Sequence, residues 1–438
     1  MYNLRGGFLV RPLAIALTLG CAGALLSWLE ETAPGLSAWV PIAIFPSHSD
    51  PQVAQAILSS IGTSIMTVVS IVFAILLMTL TLASMQFSPR ILLSFARDGV
   101  TQWTLGIFLG TFCYCMAALP AAHSLPHPFA PVATVLGAML LDLACVGWLL
   151  FFIHHISQAI SVNHIVDKIA SETEAVIDDA MPWPRKANRI VADERLDALR
   201  WERSISSDVS GYIRFIDVGR LVGLAKMYHV KIRVLRRVGH FVPEGVPFLM
   251  VSRAERATAE RIEQFRAAFD FGPSRTLQQD IEFGVLQIVD VALKAISPAV
   301  NDPTTAISCV DQLSRLLIRV ASREEPEPGF YDPPGVLRVH VPWIGFEQLL
   351  DSAFEQIRMY AKSDVAVSLR LLRALGDIGR STRDGAIHRM LADRAKRVVD
   401  GCAERLGEDE MKGIRTRHEA IVQAFSAGGT LSSAPPAD

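Results

Sequence analysis

Four apolar stretches in the first third of the chain dominate its pattern of hydrophobic and polar positions. They cover about residues 10–29, 56–87, 104–122 and 132–157, and they contain very few charged side chains. A helix needs about 20 apolar residues, at 1.5 Å per residue, to cross a bilayer core of about 30 Å. We therefore expect a transmembrane domain of four helices over residues 1–157.

The second apolar stretch carries a regular row of hydroxyl side chains. Ser59, Thr63, Thr67 and Ser70 follow one another at steps of four, four and three residues, which places them on one face of a helix. A row of this kind can line a water-filled path, with the apolar residues 71–78 beyond it as a constriction. Small hydroxyl residues also let helices pack closely and bond back to their own carbonyls. A pore face and a packing face both remain open at this point.

Asp142 is a carboxylate deep inside the fourth apolar stretch. A charge at this depth is costly, so the side chain needs a partner. The candidates are hydroxyls such as Thr67 or Ser70, a cation in transit, or a proton. Asp142 and the hydroxyl row together form a candidate ion path, while a protonated Asp142 in a hydrogen bond between helices is the structural alternative.

Basic residues in this region are unevenly distributed over the connecting segments. They are Arg5, Arg11, Arg90 and Arg97. Residues 30–55 and 123–131 contain neither Lys nor Arg. The positive-inside rule therefore predicts that both termini are cytoplasmic. Pro89 and Arg90 mark the predicted junction between the membrane and the cytoplasm, where the proline should end the second helix.

Charge separates the chain into two unlike parts. Residues 158–438 hold 38 of the 42 basic and 39 of the 44 acidic residues, although the net charge is only −2. A wholly soluble enzyme, a basic nucleic-acid binder and a disordered chain are all excluded by this distribution. The fold class expected is a mainly α membrane protein whose four transmembrane helices precede a cytoplasmic α+β region.

Hydrophobic periodicity divides that cytoplasmic region further. We expect a helical linker over residues 158–209, because apolar residues first recur at helical spacing and a polar segment follows. Short strands broken by glycines predict a small β-rich element over 210–252, similar to barrel-sandwich domains. A helical domain should cover 253–425, and the Gly-, Ser-, Pro- and Ala-rich residues 426–438 should form a disordered tail.

Two polar motifs flank a strongly apolar helix predicted over residues 281–295. They consist of Arg275, Gln279 and Asp280 before the helix and of Asn301, Asp302 and Thr304 after it. Asp302 is well placed to cap the next helix, with Pro303 at its first position. The same helix N-terminus could instead bind an anion, or a carboxylate such as that of Asp280. Capping and anion binding both remain open.

These motifs, together with residues 83–90, resemble an uncharacterised bacterial family, domain of unknown function 2254. The likeness covers about residues 10–425, and the Asn-Asp-Pro motif at residues 301–303 is fairly specific to the family. The resemblance implies a four-span protein of the inner membrane with a cytoplasmic C-terminal part. It implies no activity.

Three classes of function compete. The preferred one is a homo-oligomeric ion channel or ion pathway with a cytoplasmic regulatory domain, since four spans alone rarely enclose a water path. The alternative is a membrane-anchored sensor or scaffold whose cytoplasmic helices bind a partner or a small ligand. An enzyme is least supported, because the sequence has no Ser-His-Asp, HExxH, Walker or CxxC arrangement. We expect a lipid bilayer as partner and no cofactor, metal or nucleic acid.

Overall fold

The computed structural model of the chain divides into two compact units. Unit 1 is Met1–His164 and unit 2 is Ile165–Asp438. The residues that the structure describes are 10–33, 50–86, 99–123, 129–159, 161–181, 200–333 and 335–426. The predicted junction residues Pro89 and Arg90 lie outside this range, as do residues 182–199 of the predicted linker and residues 427–438 of the predicted tail.

In the part of unit 1 that the structure describes, four helices are long and apolar enough to cross a membrane. They are α1 Val10–Thr32, α2 Pro51–Gln86, α3 Gly99–Ala118 and α4 Val132–Ala159. A short 3₁₀ helix, Leu119–Ala121, follows α3. The four predicted apolar helices are thus confirmed, and α2 is the longest with 36 residues.

Glycines allow α1 and α3 to pack closely. A Cβ atom at Gly23 would lie 2.7 Å from the carbonyl oxygen of Tyr114, and one at Gly110 would lie 2.5 Å from Cδ1 of Leu19. Both distances are shorter than van der Waals contact. A larger residue at Gly23 would therefore force the two helices apart, and one at Gly110 would displace the Leu19 side chain, as expected for small residues between membrane helices.

Glu30 at the end of α1 caps the N-terminus of α4. The carboxylate is buried and accepts hydrogen bonds from Ala133 N at 2.8 Å, from Thr134 N at 3.1 Å and from Thr134 Oγ1 at 3.0 Å. Helix N-termini leave backbone N–H groups without partners, and a carboxylate satisfies them. This buried acid therefore has a structural role.

Unit 2 combines helices with two antiparallel-rich sheets. Its helices are α5 Val162–Ala180, α6 Val218–Met227, α7 Ala259–Arg266, α8 Ile281–Ala295, α9 Pro303–Ala321, α10 Phe346–Tyr360, α11 Val365–Ser381, α12 Gly385–Ala403 and α13 Glu408–Ser426. Its strands are β1 Arg203–Ser206, β2 Gly211–Ile216, β3 Ile232–Val234, β4 Phe241–Val242, β5 Pro247–Val251, β6 Phe269–Gly272, β7 Gly329–Asp332 and β8 Val336–His340.

The strands form one sheet of five and one of three. The first has the order β1-β5-β3-β8-β7, in which only the β3–β8 pair is parallel, and the second has the order β4-β2-β6. Phe248 of the first sheet contacts Phe269 of the second edge-to-face at 4.9 Å between ring centroids. The two sheets therefore share one hydrophobic core, to which α6 contributes Leu221.

This arrangement departs from the predicted small barrel-sandwich element, which the structure does not confirm. The β-rich part extends on both sides of residues 210–252, from β1 at Arg203 to β8 at His340. The reason is the parallel pairing of β8 with β3, which joins segments about a hundred residues apart. A pattern read along the chain does not reveal pairing at that distance.

Helix α5 begins in the last residues of unit 1, and its remainder is held within unit 2 by contacts with α8 and α9. A Cβ atom at Gly284 of α8 would lie only 2.0 Å from Oγ1 of Thr173, so the two helices touch there. We call Arg315 and Arg319 of α9, together with Arg323 just beyond its end, the arginine ladder. Arg315 donates to Glu174 at 2.8 Å, Arg319 donates to Asp178 at 2.7 Å, and Arg323 binds Asp178 and the carbonyl of Met181.

Candidate functional site

The hydroxyl row of α2, defined as Ser59, Thr63, Thr67 and Ser70, lies on the surface of unit 1. All four side chains are exposed, whereas Leu58 on the opposite face is fully buried. Each hydroxyl donates to a carbonyl of its own helix, over distances of 2.8–3.1 Å. The row therefore does not serve to pack the described helices of unit 1 together, and its oxygen lone pairs remain available at the surface.

Asp142 is half-buried on α4. Within the described part of the chain, its carboxylate has no hydrogen-bond or ion-pair partner. Thr67 and Ser70, two of the partners considered from the sequence, instead donate to the carbonyls of Thr63 and Met66. Asp142 and the hydroxyl row are thus not joined by a hydrogen bond within the protomer.

The first polar motif of unit 2 forms a buried ion cluster, which we define as Arg237, Arg275, Asp280 and Glu282. Arg275 donates to both carboxylate oxygens of Asp280, at 2.7 and 2.8 Å, and to Glu282 at 2.9 Å. Arg237 donates to Glu282 at 3.1 Å. Asp280 also caps α8 by accepting from Phe283 N at 3.1 Å.

Electrostatics keep this ion cluster charged. Burial disfavours the ionised form of Glu282, but the guanidinium groups of Arg237 and Arg275 hold its pKa below the ordinary value. Burial likewise opposes the charge on Arg275, and Asp280 and Glu282 raise its pKa nevertheless. Groups held in one charge state in this way fix structure rather than exchange protons near neutral pH.

Two further residues, Gln279 and Gly239, connect the ion cluster to neighbouring segments of unit 2. The side chain of Gln279 bonds both backbone groups of Ile216, accepting from its N–H at 3.0 Å and donating to its carbonyl at 3.3 Å. Gly239 has a φ of +87°, and a Cβ atom there would lie 2.2 Å from Oδ2 of Asp280. The first motif therefore ties the start of α8 to β2 and to the loop after β3.

The second motif forms the turn between α8 and α9. Asn301 adopts the left-handed conformation with φ of 51°, and the N–H of Asp302 donates to the carbonyl of Ala295 at 2.8 Å. Asp302 accepts from Thr305 N at 3.1 Å and from Thr305 Oγ1 at 2.6 Å, and these bonds lower its pKa. Asp302 is thus confirmed as the N-cap of α9, with Pro303 at the first position. Thr304 is exposed on the first turn.

The two motifs lie at opposite ends of α8. Asp280 precedes Ile281, the first residue of the helix, and Asp302 follows its last residue, Ala295, by seven positions. Fifteen residues at 1.5 Å each separate them by about 22 Å. The idea that the N-terminus of α9 binds the carboxylate of Asp280 is therefore wrong, because Asp280 is paired with Arg275 at the far end.

A cleft of about 470 Å³ opens beside the ion cluster in unit 2. It is lined by Leu235, Arg237, His240, Glu282, Pro342, Trp343, Gln348 and Asp351. Reasoning from the sequence missed Arg237, His240, Glu282 and Trp343, which come from three separate segments. The sequence offered one signal for this group: Arg275 and Glu282 are seven residues apart on either side of a helix start, and this spacing could have suggested that they pair.

The fold and these sites define a mainly helical protein with four candidate membrane helices and a later α+β region. Residues 5–377 match the family described as Predicted membrane protein (DUF2254), and the chain belongs to this family. It is 30% identical over 447 residues to the uncharacterized protein Mb1321c of Mycobacterium bovis and to the uncharacterized protein Rv1290c of Mycobacterium tuberculosis. In each comparison the alignment covers 99% of this chain and 83% of the relative. No solved structure matches the chain significantly.

Proposed function

We propose that the protein is the subunit of a homo-oligomeric ion pathway in a bacterial inner membrane. The observation that carries this proposal is the outward position of the hydroxyl row on α2. Ser59, Thr63, Thr67 and Ser70 are exposed in the protomer, at positions where a bilayer would otherwise surround them. Copies that meet through this face would surround a path with hydroxyl oxygens.

The surface beyond the row suits a gate. After Ser70 the same side of α2 continues with exposed apolar residues, among them Leu77 and Met78, before the exposed hydroxyl of Thr81. A hydrophobic constriction between polar segments can stop ion flow by losing its water. The order of polar and apolar residues on α2 therefore supports a path with one dry segment.

Asp142 is the candidate cation or proton site of the pathway. An ionisable group at the depth of a membrane helix is a functional candidate by default. Its carboxylate has no partner within the described part of the chain, so it is available to a passing cation or to a proton.

Unit 2 is the regulatory part in this proposal, and we place it in the cytoplasm with both termini. Only residues 160 and 161 separate the end of α4 from the start of α5. The arginine ladder and the Gly284 contact hold α5 within unit 2. A rearrangement of unit 2 would therefore act on α4, and so on Asp142, through a short covalent connection.

Ion flux into proteoliposomes tests the proposal. We expect Thr67→Val and Asp142→Asn each to lower the flux by about tenfold, equivalent to about 1.4 kcal/mol in the barrier. The matched control is Thr18→Val, because Thr18 is also an exposed threonine that bonds back to its own helix, in α1. Normal flux in both test variants, or a monomeric particle, would overturn the proposal.

A membrane-anchored sensor or scaffold is the second candidate function. The observation that favours it is the cleft of unit 2, which has the size of a small-molecule site. This candidate predicts no ion flux whatever the oligomeric state. We propose a catalytic role in neither case.

A further inference from the structure

The cleft beside the ion cluster has walls from four segments of unit 2, one of which is the start of α8 with Glu282. Leu235, Arg237 and His240 belong to the loop after β3, Pro342 and Trp343 follow β8, and Gln348 and Asp351 lie on α10. At about 470 Å³ it falls within the size range of small-ligand sites. Convergence of a loop, a post-strand segment and a helix start on one cleft is typical of such sites.

The acidic side chains of the cleft already have cationic partners. Glu282 accepts from Arg237 at 3.1 Å and from Arg275 at 2.9 Å. Asp351 accepts from Arg394 at 2.6 and 3.0 Å. Neither carboxylate therefore offers an unneutralised negative charge to a ligand.

Two polar groups of the cleft remain without partners among the described residues: an indole N–H, which is a donor, and an imidazole nitrogen, which donates or accepts according to its tautomer. Trp343 Nε1 is buried without a partner in the described structure, and so is Nδ1 of His240. Burial, followed by the charge on Arg237, lowers the pKa of His240, so near neutral pH its ring carries one N–H. Leaving a buried donor without an acceptor is costly, and an acceptor atom on a ligand would remove that cost after a small rotation of either ring.

One further feature favours a negatively charged ligand. The guanidinium group of Arg237 lines the cleft, and its bond to Glu282 at 3.1 Å uses only one of its nitrogens. The N-terminus of α10 adds no uncompensated positive charge, because Glu325 accepts from Phe346 N at 2.9 Å and Glu347 lies in the first turn.

We propose that this cleft binds a small organic anion that contains both an oxyanion and a planar ring. The oxyanion would accept from Trp343, His240 and Arg237. The ring would pack on the apolar wall formed by Leu235, Pro342 and the indole of Trp343. This proposal does not depend on the proposed ion pathway. Ligand binding is measured without ion flux, so either proposal can fail while the other holds.

Calorimetric titration of the full chain in detergent tests the site with two matched pairs of probes. Nicotinate carries a carboxylate and nicotinamide is its neutral counterpart, while adenosine 5′-monophosphate carries a phosphate and adenosine is its neutral counterpart. We expect at least one anion to bind, and its neutral counterpart to bind about tenfold more weakly or not at all. The pair that responds identifies the oxyanion as a carboxylate or a phosphate.

Two variants then locate the binding. Trp343→Phe keeps an aromatic ring but loses the N–H, and His240→Asn removes the imidazole; each should weaken binding about three- to tenfold. The matched control is Trp201→Phe, because Trp201 Nε1 is also buried without a partner in the described residues but lies outside the cleft. Failure of both anions to bind, equal binding of the neutral counterparts, or an equal loss in Trp201→Phe would overturn the proposal.

Discussion

The hydroxyl row of unit 1 and the polar motifs of unit 2 use their hydrogen bonds in opposite ways. In unit 2 they bond to one another across elements: Arg275 to Asp280, Arg319 to Asp178, and Gln279 to the backbone of Ile216. In unit 1 each hydroxyl of the hydroxyl row donates to a carbonyl of its own helix. The polar groups of unit 2 therefore stabilise its fold. The hydroxyl oxygens of the hydroxyl row, in contrast, keep lone pairs that accept no hydrogen bond from another element of the described structure.

This difference separates structural motifs from functional candidates. The motifs of residues 275–280 and 301–304 are prominent in the sequence, yet their bonds are used to cap helices and to join α8 to the sheets. The hydroxyl row is less conspicuous in the sequence, but internal packing does not explain it. The following experiments test whether the polar groups of unit 2 are as strongly structural as their contacts indicate.

Asp280→Ala should have the largest effect on stability. It leaves the guanidinium group of Arg275 without its main partner in a buried site and removes the cap of α8. Removing one member of a buried ion pair costs about 3–5 kcal/mol. Urea unfolding of the full chain, followed by circular dichroism, measures the loss.

Asp217→Ala is the matched control for Asp280. Asp217 caps α6 through one bond from Arg220 N at 2.9 Å, but it is exposed. Loss of such a cap costs about 1 kcal/mol. Equal losses of stability in Asp280→Ala and Asp217→Ala would show that the ion cluster contributes nothing beyond capping. That result would contradict the structural role given to the polar groups of unit 2.

Gly284→Ala should have the next largest effect. The added methyl group would overlap Oγ1 of Thr173, which is 2.0 Å from the Cβ position, and would push α5 away from α8. Overpacking of this kind costs about 1–3 kcal/mol, and Thr173→Ala in the same chain should restore part of it. Thermal unfolding monitors both variants.

Gly223→Ala provides the control for Gly284. Gly223 lies within α6 and a Cβ atom there meets nothing within 4 Å. Alanine in an open helical position should stabilise by about 0.5–1 kcal/mol. A loss of stability in both glycine variants would contradict the account of α5 packing.

Asp302→Ala should destabilise unit 2 by about 1 kcal/mol, because it removes the cap on Thr305 N. The melting temperature of the full chain measures this effect. An unchanged melting temperature would indicate that Asp302 has a binding role instead of a structural one.

Acidification should give the smallest effect. Because the pKa of His240 is lowered in the folded chain, the unfolded chain binds its proton first as the pH falls. The free energy of unfolding should therefore decrease below about pH 6.5. His240→Asn should make the free energy of unfolding depend less steeply on pH between pH 7.5 and 5.5. His340, whose pKa is also lowered by burial, should account for the pH dependence that is left. An unaltered slope would contradict this assignment.

The sequence predicted the features that depend on local patterns. The four apolar helices follow from residue counts, and the cap at Asp302 follows from its place before Pro303. It did not predict the ion cluster, since Arg237 and Glu282 are 45 positions apart and meet only because α8 packs beside the β3 loop. The parallel pairing of β8 with β3 was missed for the same reason.

The exposure of the hydroxyl row could not be predicted either. The spacing from Ser59 to Ser70 defines a helical face, but whether that face is turned inward depends on the packing of α3 and α4 against the other side of α2. Leu58 and Ile65 fill that inner side and leave the row outside. Packing among the described helices of unit 1 therefore does not account for the position of the row.

Water access to the hydroxyl row is the central claim, and thiol labelling tests it most directly. Cysteines are introduced by Thr63→Cys and Thr67→Cys, and by Leu143→Cys as a control on the exposed apolar face of α4. The native Cys21 and Cys113, which are not buried, are first replaced by alanine. A charged, membrane-impermeant thiol reagent is then added to intact proteoliposomes. The account predicts that the cysteines at 63 and 67 react and the one at 143 does not; no reaction at 63 and 67, or equal reaction at all three, would contradict it.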